Sequence, residues 1–486
     1  MLIAGAPVAH PAPPMSLDVA QITKPLHAAL RSYHAPTSSE GSVFATFVSL
    51  QRLFQDLVTD QAAPTARRQA LNRLIDTGLE LLARQEPRSA ELLSLRFVKR
   101  HKLAQVMRRL DLGPDQMNRA QRAAIGHLAG VLVRLEDDVR EAAIQRMESR
   151  LTQVAPWGLV GLQMVTQRLL AQLQSTAAPW VVVICGLGGI GKTTLAESVT
   201  RQSIRELRYQ DVIWVRWPRM TWPGEVDLLD LALELAARTN ANPEYPPASR
   251  AQILQRLRLA LRARPHLVVF DNLEEDWETT GLIDALTGLG GPSRFLLTTR
   301  ARPDVSHSAA FLLSLSELSL ADSLSLLKQH AHQTGLTMAS DLSDAEGEAI
   351  YRVVGGNPFA LKLVLGLTEV QPLAAILDDL KHQATGATDA FFQRIYRRAW
   401  EALSSDARNL LRVMPLIADE GARPDYLQAL SGLEGNRLWP AVSELWVRSL
   451  LEVRGTLHDK RYGIHRLTET FVRNDVIGWA PQVGAP

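Results

Sequence analysis

The chain has 486 residues, 46% of them apolar, and a formal net charge of +2. That length exceeds what one hydrophobic core serves and predicts three or four domains. The small charge excludes a globally basic or acidic surface, so any nucleic-acid or membrane partner needs a local patch. A single cysteine, Cys185, excludes an internal disulfide, and no apolar run has the length of a bilayer span; the expected setting is the reducing cytoplasm, with no membrane partner.

Residues 1–16 form an apolar, Pro-rich tail that lacks the basic start of a signal peptide and is expected to be disordered. Residues 17–151 read as an all-helical N-terminal domain. Helical patterns cover 17–34, 43–60, 65–84, 89–98, 102–110 and 114–149, separated by turn signals at 36–39, Ala63-Pro64, Pro87 and Gly113-Pro114. The last pattern carries Arg134, Glu136, Asp137, Asp138, Arg140 and Glu141, which reads as a solvated face or connector.

From 155 to 306 short apolar runs alternate with longer amphipathic ones, the signature of an α/β fold. Strands are predicted at 181–185, 212–216, 267–271 and 295–299, and helices at 194–206, 226–238, 249–263 and 280–287. After the first strand comes Gly186-Leu187-Gly188-Gly189-Ile190-Gly191-Lys192-Thr193-Thr194, which matches the phosphate-cradling loop G-x-x-x-x-G-K-[ST]. Its glycines let backbone N–H groups curl around an anion, and the following helix adds its positive end. In that pattern Lys192 reaches the β- and γ-phosphates of ATP and the Thr193 hydroxyl joins a Mg2+ shell. Asp271, at the tip of Leu267-Val268-Val269-Phe270-Asp271, then faces the metal, and Arg300, ending Phe295-Leu296-Leu297-Thr298-Thr299-Arg300, has the charge and fork to meet a γ-phosphate.

These motifs, followed by Gly355-Gly356-Asn357-Pro358-Phe359-Ala360-Leu361-Lys362, resemble the NB-ARC branch of the STAND signal-transduction ATPases. The resemblance covers 157 to about 476. It implies a P-loop NTPase core with a parallel sheet of ASCE type, then a helical lid over 307–385, a winged-helix domain over 390–478 and a short tail over 479–486. It also implies that Trp157 to Gly161, Val160 included, packs on adenine, and that Pro358 lies against the base. Tyr462-Gly463-Ile464-His465-Arg466-Leu467 stands where the family has Met-His-Asp, so His465 is expected on the β-phosphate of ADP. Where much of the family has a second acid, this chain has Asn272, followed by Glu274 and Glu275; an amide orients water without taking its proton, so either turnover is slow or the base comes from Glu274. No leucine-rich, TPR or WD pattern follows Val476 in this sequence, so sensing is expected from the lid and winged helix, from a separate partner, or from a segment this sequence does not encode.

Residues 89–134 also resemble the helix-turn-helix of bacterial sigma-factor region four and related response regulators, on Ala90 to Val98, Lys102 to Leu110 and the helix from Pro114. That resemblance implies that Gln116, Asn118, Arg119 and Arg122 enter a DNA groove while Lys99, Arg100, Lys102, Arg108 and Arg109 meet phosphates. Met107 replaces a small alanine and Asp111 a turn glycine in that pattern. A helical protein-interaction module is the equal alternative.

The expected function is a nucleotide-gated switch, closed with ADP, open and self-associating with ATP, that controls the N-terminal helical domain and an unidentified protein sensor or effector. The alternatives are a DNA-binding regulator with nucleotide-dependent assembly, and a steady-turnover ATPase acting on a partner.

Overall fold

A computed structural model of the chain describes residues 18–36, 43–58, 63–151, 160–175, 177–216, 250–273, 276–289, 291–300, 302–303, 305, 310–336, 342–382, 388–417, 421–456 and 459–477. The chain divides into two compact units, Met1–Ser149 with Gln202–Arg208, and Arg150–Arg201 with Tyr209–Pro486. The expected tails, 1–16 and 479–486, and the expected helix 226–238 lie outside the described residues.

The first unit is helical: α1 Val19–Arg31, α2 Val48–Val58, α3 Ala63–Gln85, α4 Pro87–Leu93 continued by a π turn to Val98, α5 Leu103–Leu110 and α6 Pro114–Glu148. Pro87 and Pro114 open their helices at the position where a missing N–H costs nothing. Asp111 ends α5 at φ 52°, in the left-handed region that Asp tolerates better than most residues. The core runs from Ile22 and Leu26 through Phe44, Phe47, Leu74 and Ile75 to Leu128 and Leu132, and Met107 packs on its edge.

On α6 Arg134, Asp137, Asp138 and Glu141 are exposed, as a solvated face requires, but the other two charges depart from it. Glu136 is fully buried and Arg140 nearly so, with Arg140 Nε donating to Glu136 Oε1 at 2.9 Å. The same carboxylate accepts from Val48 N at 2.6 Å, Ser49 N at 3.0 Å and Ser49 Oγ at 2.6 Å. Val48 and Ser49 are the first residues of α2, so Glu136 caps that helix from a distant part of the chain and opposes its positive end. Charge spacing along one helix carries no sign of such a partner.

The second unit is built on a five-stranded sheet: β1 Val181–Cys185, β2 Asp211–Arg216, β3 His266–Leu273, β4 Arg294–Thr299 and β5 Ala310–Ser314, in the order β2-β3-β4-β1-β5. Every pairing is parallel. Parallel strands are buried on both faces, which is why β1, β3 and β4 read as nearly unbroken apolar runs. On one face Val183, Phe270 and Leu297 pack against Leu257 and Leu261 of the helix Arg250–Ala263 and Ile283 and Leu286 of the helix Asp276–Leu289. The expected sheet domain stopped at 306; β5 lies beyond it, and pairs with β1 from Val181↔Ala310 to Cys185↔Ser314. Ala-Phe-Leu-Leu-Ser is too short for periodicity to separate a strand from a helix start.

C-terminal to the sheet come the helices Leu320–Thr334, Asp344–Val354, Pro358–Leu367 and Leu373–His382, then Thr388–Glu401, Ser405–Val413, Pro424–Ser431, Gly435–Val447 and Arg466–Phe471. A hairpin, β6 Glu452–Gly455 with β7 Lys460–Gly463, precedes the last of these, and Ala422 forms an antiparallel bridge to Tyr462. One continuous apolar core joins these helices from Leu318 to Val472. The helix Pro358–Leu367 sits inside it, with Ala360, Leu361 and every residue from Leu363 to Leu367 buried, as a helix apolar on all sides must be.

Candidate functional site

The residues expected to carry chemistry meet at the C-terminal edge of the sheet, where open α/β sheets present their ligand crevice. Because β4 lies between β1 and β3, the end of β4 is set between the loop that follows β1 and the acid on β3. Gly186 to Gly191 form that loop, and α7, Lys192–Arg205, starts at Lys192. Gly186, Gly189 and Gly191 have φ of 155°, 74° and 103°, conformations that a side chain resists. A Cβ on Gly186 would lie 2.9 Å from Leu315 O, and one on Gly189 2.7 Å from Phe359 Cβ. Ile190 is buried within the loop, while Lys192, Thr193 and Thr194 open α7 and are partly exposed. Lys192 Nζ lies over the curl and donates to Gly186 O at 2.8 Å and Leu187 O at 2.9 Å. A curled glycine backbone at a helix start with an ammonium across it fits a polyphosphate.

Thr193 Oγ1 donates to Asp271 Oδ1 at 2.8 Å, joining the loop to β3. Thr298 Oγ1 donates to the same oxygen at 2.6 Å. A hydroxyl and a buried carboxylate brought together beside a phosphate-type loop are a donor set suited to hard Mg2+, which takes few protein oxygens and keeps its waters. Asn272 has φ 78°, and its N–H donates to Thr298 Oγ1 at 2.8 Å. Asn is among the few residues that enter this region readily, so conformation accounts for an amide at this position. Glu274, the expected base, lies outside the described residues. Arg300 directly follows β4, and its charge is felt at Tyr396 of the helix Thr388–Glu401. Burial pushes the Tyr396 phenol well above its usual range, while a hydrogen bond from Thr468 and the Arg300 charge draw it down.

The rim of the loop is covered by later parts of the chain. Asn357 caps the helix Pro358–Leu367 through Phe359 N and Ala360 N, at 3.1 and 3.2 Å, and its Nδ2 donates to Gly188 O at 2.9 Å. Glu317 holds the turn before it, accepting from Gly356 N at 3.1 Å, and Leu318 N donates to Gly356 O at 2.9 Å. Pro358 is the first residue of the capped helix. Val160 packs on the same core, and the next residue, Gly161, at φ 71°, abuts Leu318 and Asp322; Leu318 therefore neighbours both the Val160 segment and the Pro358 turn. Trp157 to Leu159 lie outside the described residues.

His465 caps the helix Arg466–Phe471, its Nδ1 accepting from Leu467 N at 3.2 Å. Its ring stacks on Phe359 with centroids 4.1 Å apart, and Leu467 would touch a Cβ on Gly188 at 3.2 Å. Asn357, Phe359 and Thr298 were not among the expected site residues. Asn before Pro does signal a helix cap, but nothing in the chain pattern announces the bond to Gly188.

Residues 162–337 match the family model of the NB-ARC domain. The chain carries an NB-ARC domain. The match runs past the expected boundary at 306 and takes in β5 and the helix Leu320–Thr334. Disease resistance protein RPP8 of Arabidopsis thaliana is 25% identical over 285 residues, covering 52% of this chain and 29% of that protein. A probable disease resistance protein of the same plant is 26% identical over 222 residues, 44% of this chain and 24% of its own length. The matched stretch thus spans about a quarter of these curated relatives. Among solved structures, a STAND protein with a tetratricopeptide repeat sensor from Pyrococcus horikoshii is 18% identical, at a TM-score of 0.44, over 66% of this chain and 43% of that one. Among the described residues no helix is long and apolar enough to cross a membrane.

In the first unit Gln116, Asn118, Arg119 and Arg122 all lie exposed near the start of α6. Gln116 is already engaged, since its Oε1 accepts from Gly113 N at 3.0 Å and caps α6. Arg109 of the expected phosphate cluster pairs with Glu91 at 3.1 Å, which offsets part of its charge.

Proposed function

We propose that the chain is an ATP/ADP switch of the STAND type, in which 186–194 cradle the phosphates, Thr193 and Asp271 hold Mg2+, and Arg300 meets the γ-phosphate. Val160 and Pro358 would flank the base. Bound Mg2+ would screen phosphate charge; everything else falls to the chain's own groups. Lys192 would exchange its two carbonyl partners for phosphate oxygens, at similar hydrogen-bond geometry but with opposite charge. Asn272 lacks a site for the proton of an attacking water, which supports slow turnover and a long-lived bound state.

One observation carries the switch reading. Two separate C-terminal turns, Asn357 to Phe359 and His465 to Leu467, rest directly on Gly188 and Gly189. A change at the loop rim therefore acts on the helices that both turns begin. We read the helices from Leu320 to His382, the expected 307–385 without the strand β5, as the lid and 390–478 as the winged helix. The succession Ser405–Val413, the Ala422 bridge, Pro424–Ser431, Gly435–Val447 and the β6–β7 hairpin supports the latter. ADP would favour the state in which both turns stay on the loop, and ATP the open, self-associating one, as differential contacts require. The N-terminal helical unit would be the output, and the cytoplasm the setting.

The test is to purify the full chain, identify its bound nucleotide, and compare its mass in solution with ADP and with a non-hydrolysable ATP analogue. Copurified ADP, a larger assembly only with the analogue, and faster ADP release in His465→Ala support the reading. One mass in both states and an unaltered release rate reject it. A second reading, DNA binding by residues 89–134, is favoured by the exposed Asn118, Arg119 and Arg122 at the start of α6. Titration of labelled duplex at low salt in both nucleotide states decides it. Binding that Arg119→Ala with Arg122→Ala reduces supports this reading, and no binding in either state leaves a protein-interaction module.

A further inference from the structure

We propose that Thr298 is a positioning residue of the metal site, one hydroxyl that aims Asp271 and fixes the backbone of Asn272. The proposal rests on the nucleotide-binding reading above and deepens it. Thr298 is 1% exposed, so its hydroxyl has no water to turn to and must use the protein groups around it. It makes two bonds of opposite sense: its O–H donates to Asp271 Oδ1 at 2.6 Å, and its oxygen accepts the Asn272 N–H at 2.8 Å.

Both partners lie where β3 breaks register. The β3–β4 pairing shifts between Phe270 and Leu273, so Asp271 and Asn272 drop out of the ladder on the β4 side, and on the β2 side the pairing ends at Arg216↔Asp271. Bulges beside active sites commonly re-aim a side chain in this way. Asn272 takes a left-handed φ of 78° there, and its N–H donates to Thr298 Oγ1. Asp271 is 4% exposed, and its Oδ1 receives Thr193 and Thr298 together. With Oδ1 held by two hydroxyls from two elements, the carboxylate plane is set and Oδ2 is the oxygen offered to metal-bound water. Thr193 belongs to the helix start that continues the phosphate loop. Thr298 is anchored in β4, so it is the partner that keeps Asp271 aimed when the loop changes occupancy.

A threonine serving only as filler would be replaced by the isosteric valine with effect on folding alone. The experiment uses the full chain and titrates ATP by calorimetry with Mg2+ and with EDTA, for wild type, Thr298→Val, Thr298→Ala and Thr298→Ser. ADP affinity in EDTA serves as the check on folding, and hydrogen exchange reads the Asn272 amide. Outer-shell partners of metal ligands change metal affinity by about 10–100-fold, and a loss of that size is expected in the Mg2+ enhancement of ATP binding for the valine and alanine variants. Their ADP affinity in EDTA stays at the wild-type value, their Asn272 amide exchanges faster, and serine restores both readouts.

A valine variant with the full Mg2+ enhancement overturns the proposal and leaves the nucleotide reading intact. Loss of ADP binding in EDTA by both valine and alanine variants assigns Thr298 to folding and also overturns it. A wild-type chain that binds no nucleotide rejects the reading and the proposal together.

Discussion

Asn357 Nδ2 donates to Gly188 O across 2.9 Å, while Asn357 Oδ1 accepts from Phe359 N and Ala360 N. The two roles fix the orientation of the amide, since only its NH2 serves a carbonyl and only its oxygen serves N–H groups. Asn357→Ala removes a cap and the loop contact together. We expect ADP to leave about fivefold faster, the effect of losing about 1 kcal/mol from one neutral hydrogen bond, as read by stopped-flow release of a fluorescent ADP. An unchanged rate means that the turn does not sense the loop.

Lys192→Ala should remove most triphosphate affinity. Hydrogen bonds to charged groups contribute about 1.5–3 kcal/mol, and this ammonium lies across the loop curl. Calorimetric titration of the folded variant is the check, and wild-type ATP affinity would sink the site assignment.

Asn272 combines a left-handed backbone with a side chain unable to take a proton. Asn272→Asp keeps access to that conformation and should raise ATP turnover, measured as phosphate release. Asn272→Val should instead lower thermal stability, by about 1–3 kcal/mol, because a β-branched residue is strained at φ 78°. Equal stability of the valine and aspartate variants would contradict the conformational account.

Glu136→Ala leaves the start of α2 without its carboxylate and the nearly buried Arg140 without this partner. Breaking a buried pair by removing one member costs about 3–5 kcal/mol. The readout is amide exchange at Val48 and Ser49, which should rise steeply in the variant. Protection equal to wild type would mean that other groups cap the helix.

Burial pushes the His330 imidazole down to about 3, with the Lys362 charge adding to the effect. In the unfolded chain it takes a proton near pH 6.5, so between that value and about 3 the unfolded state binds more protons. Stability from this group is therefore full above pH 6.5 and declines as pH falls, by up to about 1.4 kcal/mol per pH unit. His266, also lowered mainly by burial, acts in the same direction. His330→Gln should flatten part of the fall in denaturant midpoint between pH 6.5 and 4; an unchanged slope would place the proton uptake elsewhere.

The sequence by itself determined the chemistry-bearing loop, the strand that precedes it, the Asp at the end of β3 and the helical character of the first unit. These are local: glycine spacing, unbroken apolar runs and Pro breaks act within a few residues, and each has one favoured geometry. Tertiary structure alone decided that β5 joins the sheet, that Glu136 is buried at a helix start far from it in sequence, and that Asn357, Phe359 and Leu467 close on Gly188 and Gly189. It also decided that Thr298 holds Asp271 and Asn272 together. The reason is common to all four: a hydrogen bond or a close contact between distant segments depends on which faces the core brings together, and neither periodicity nor composition encodes that choice.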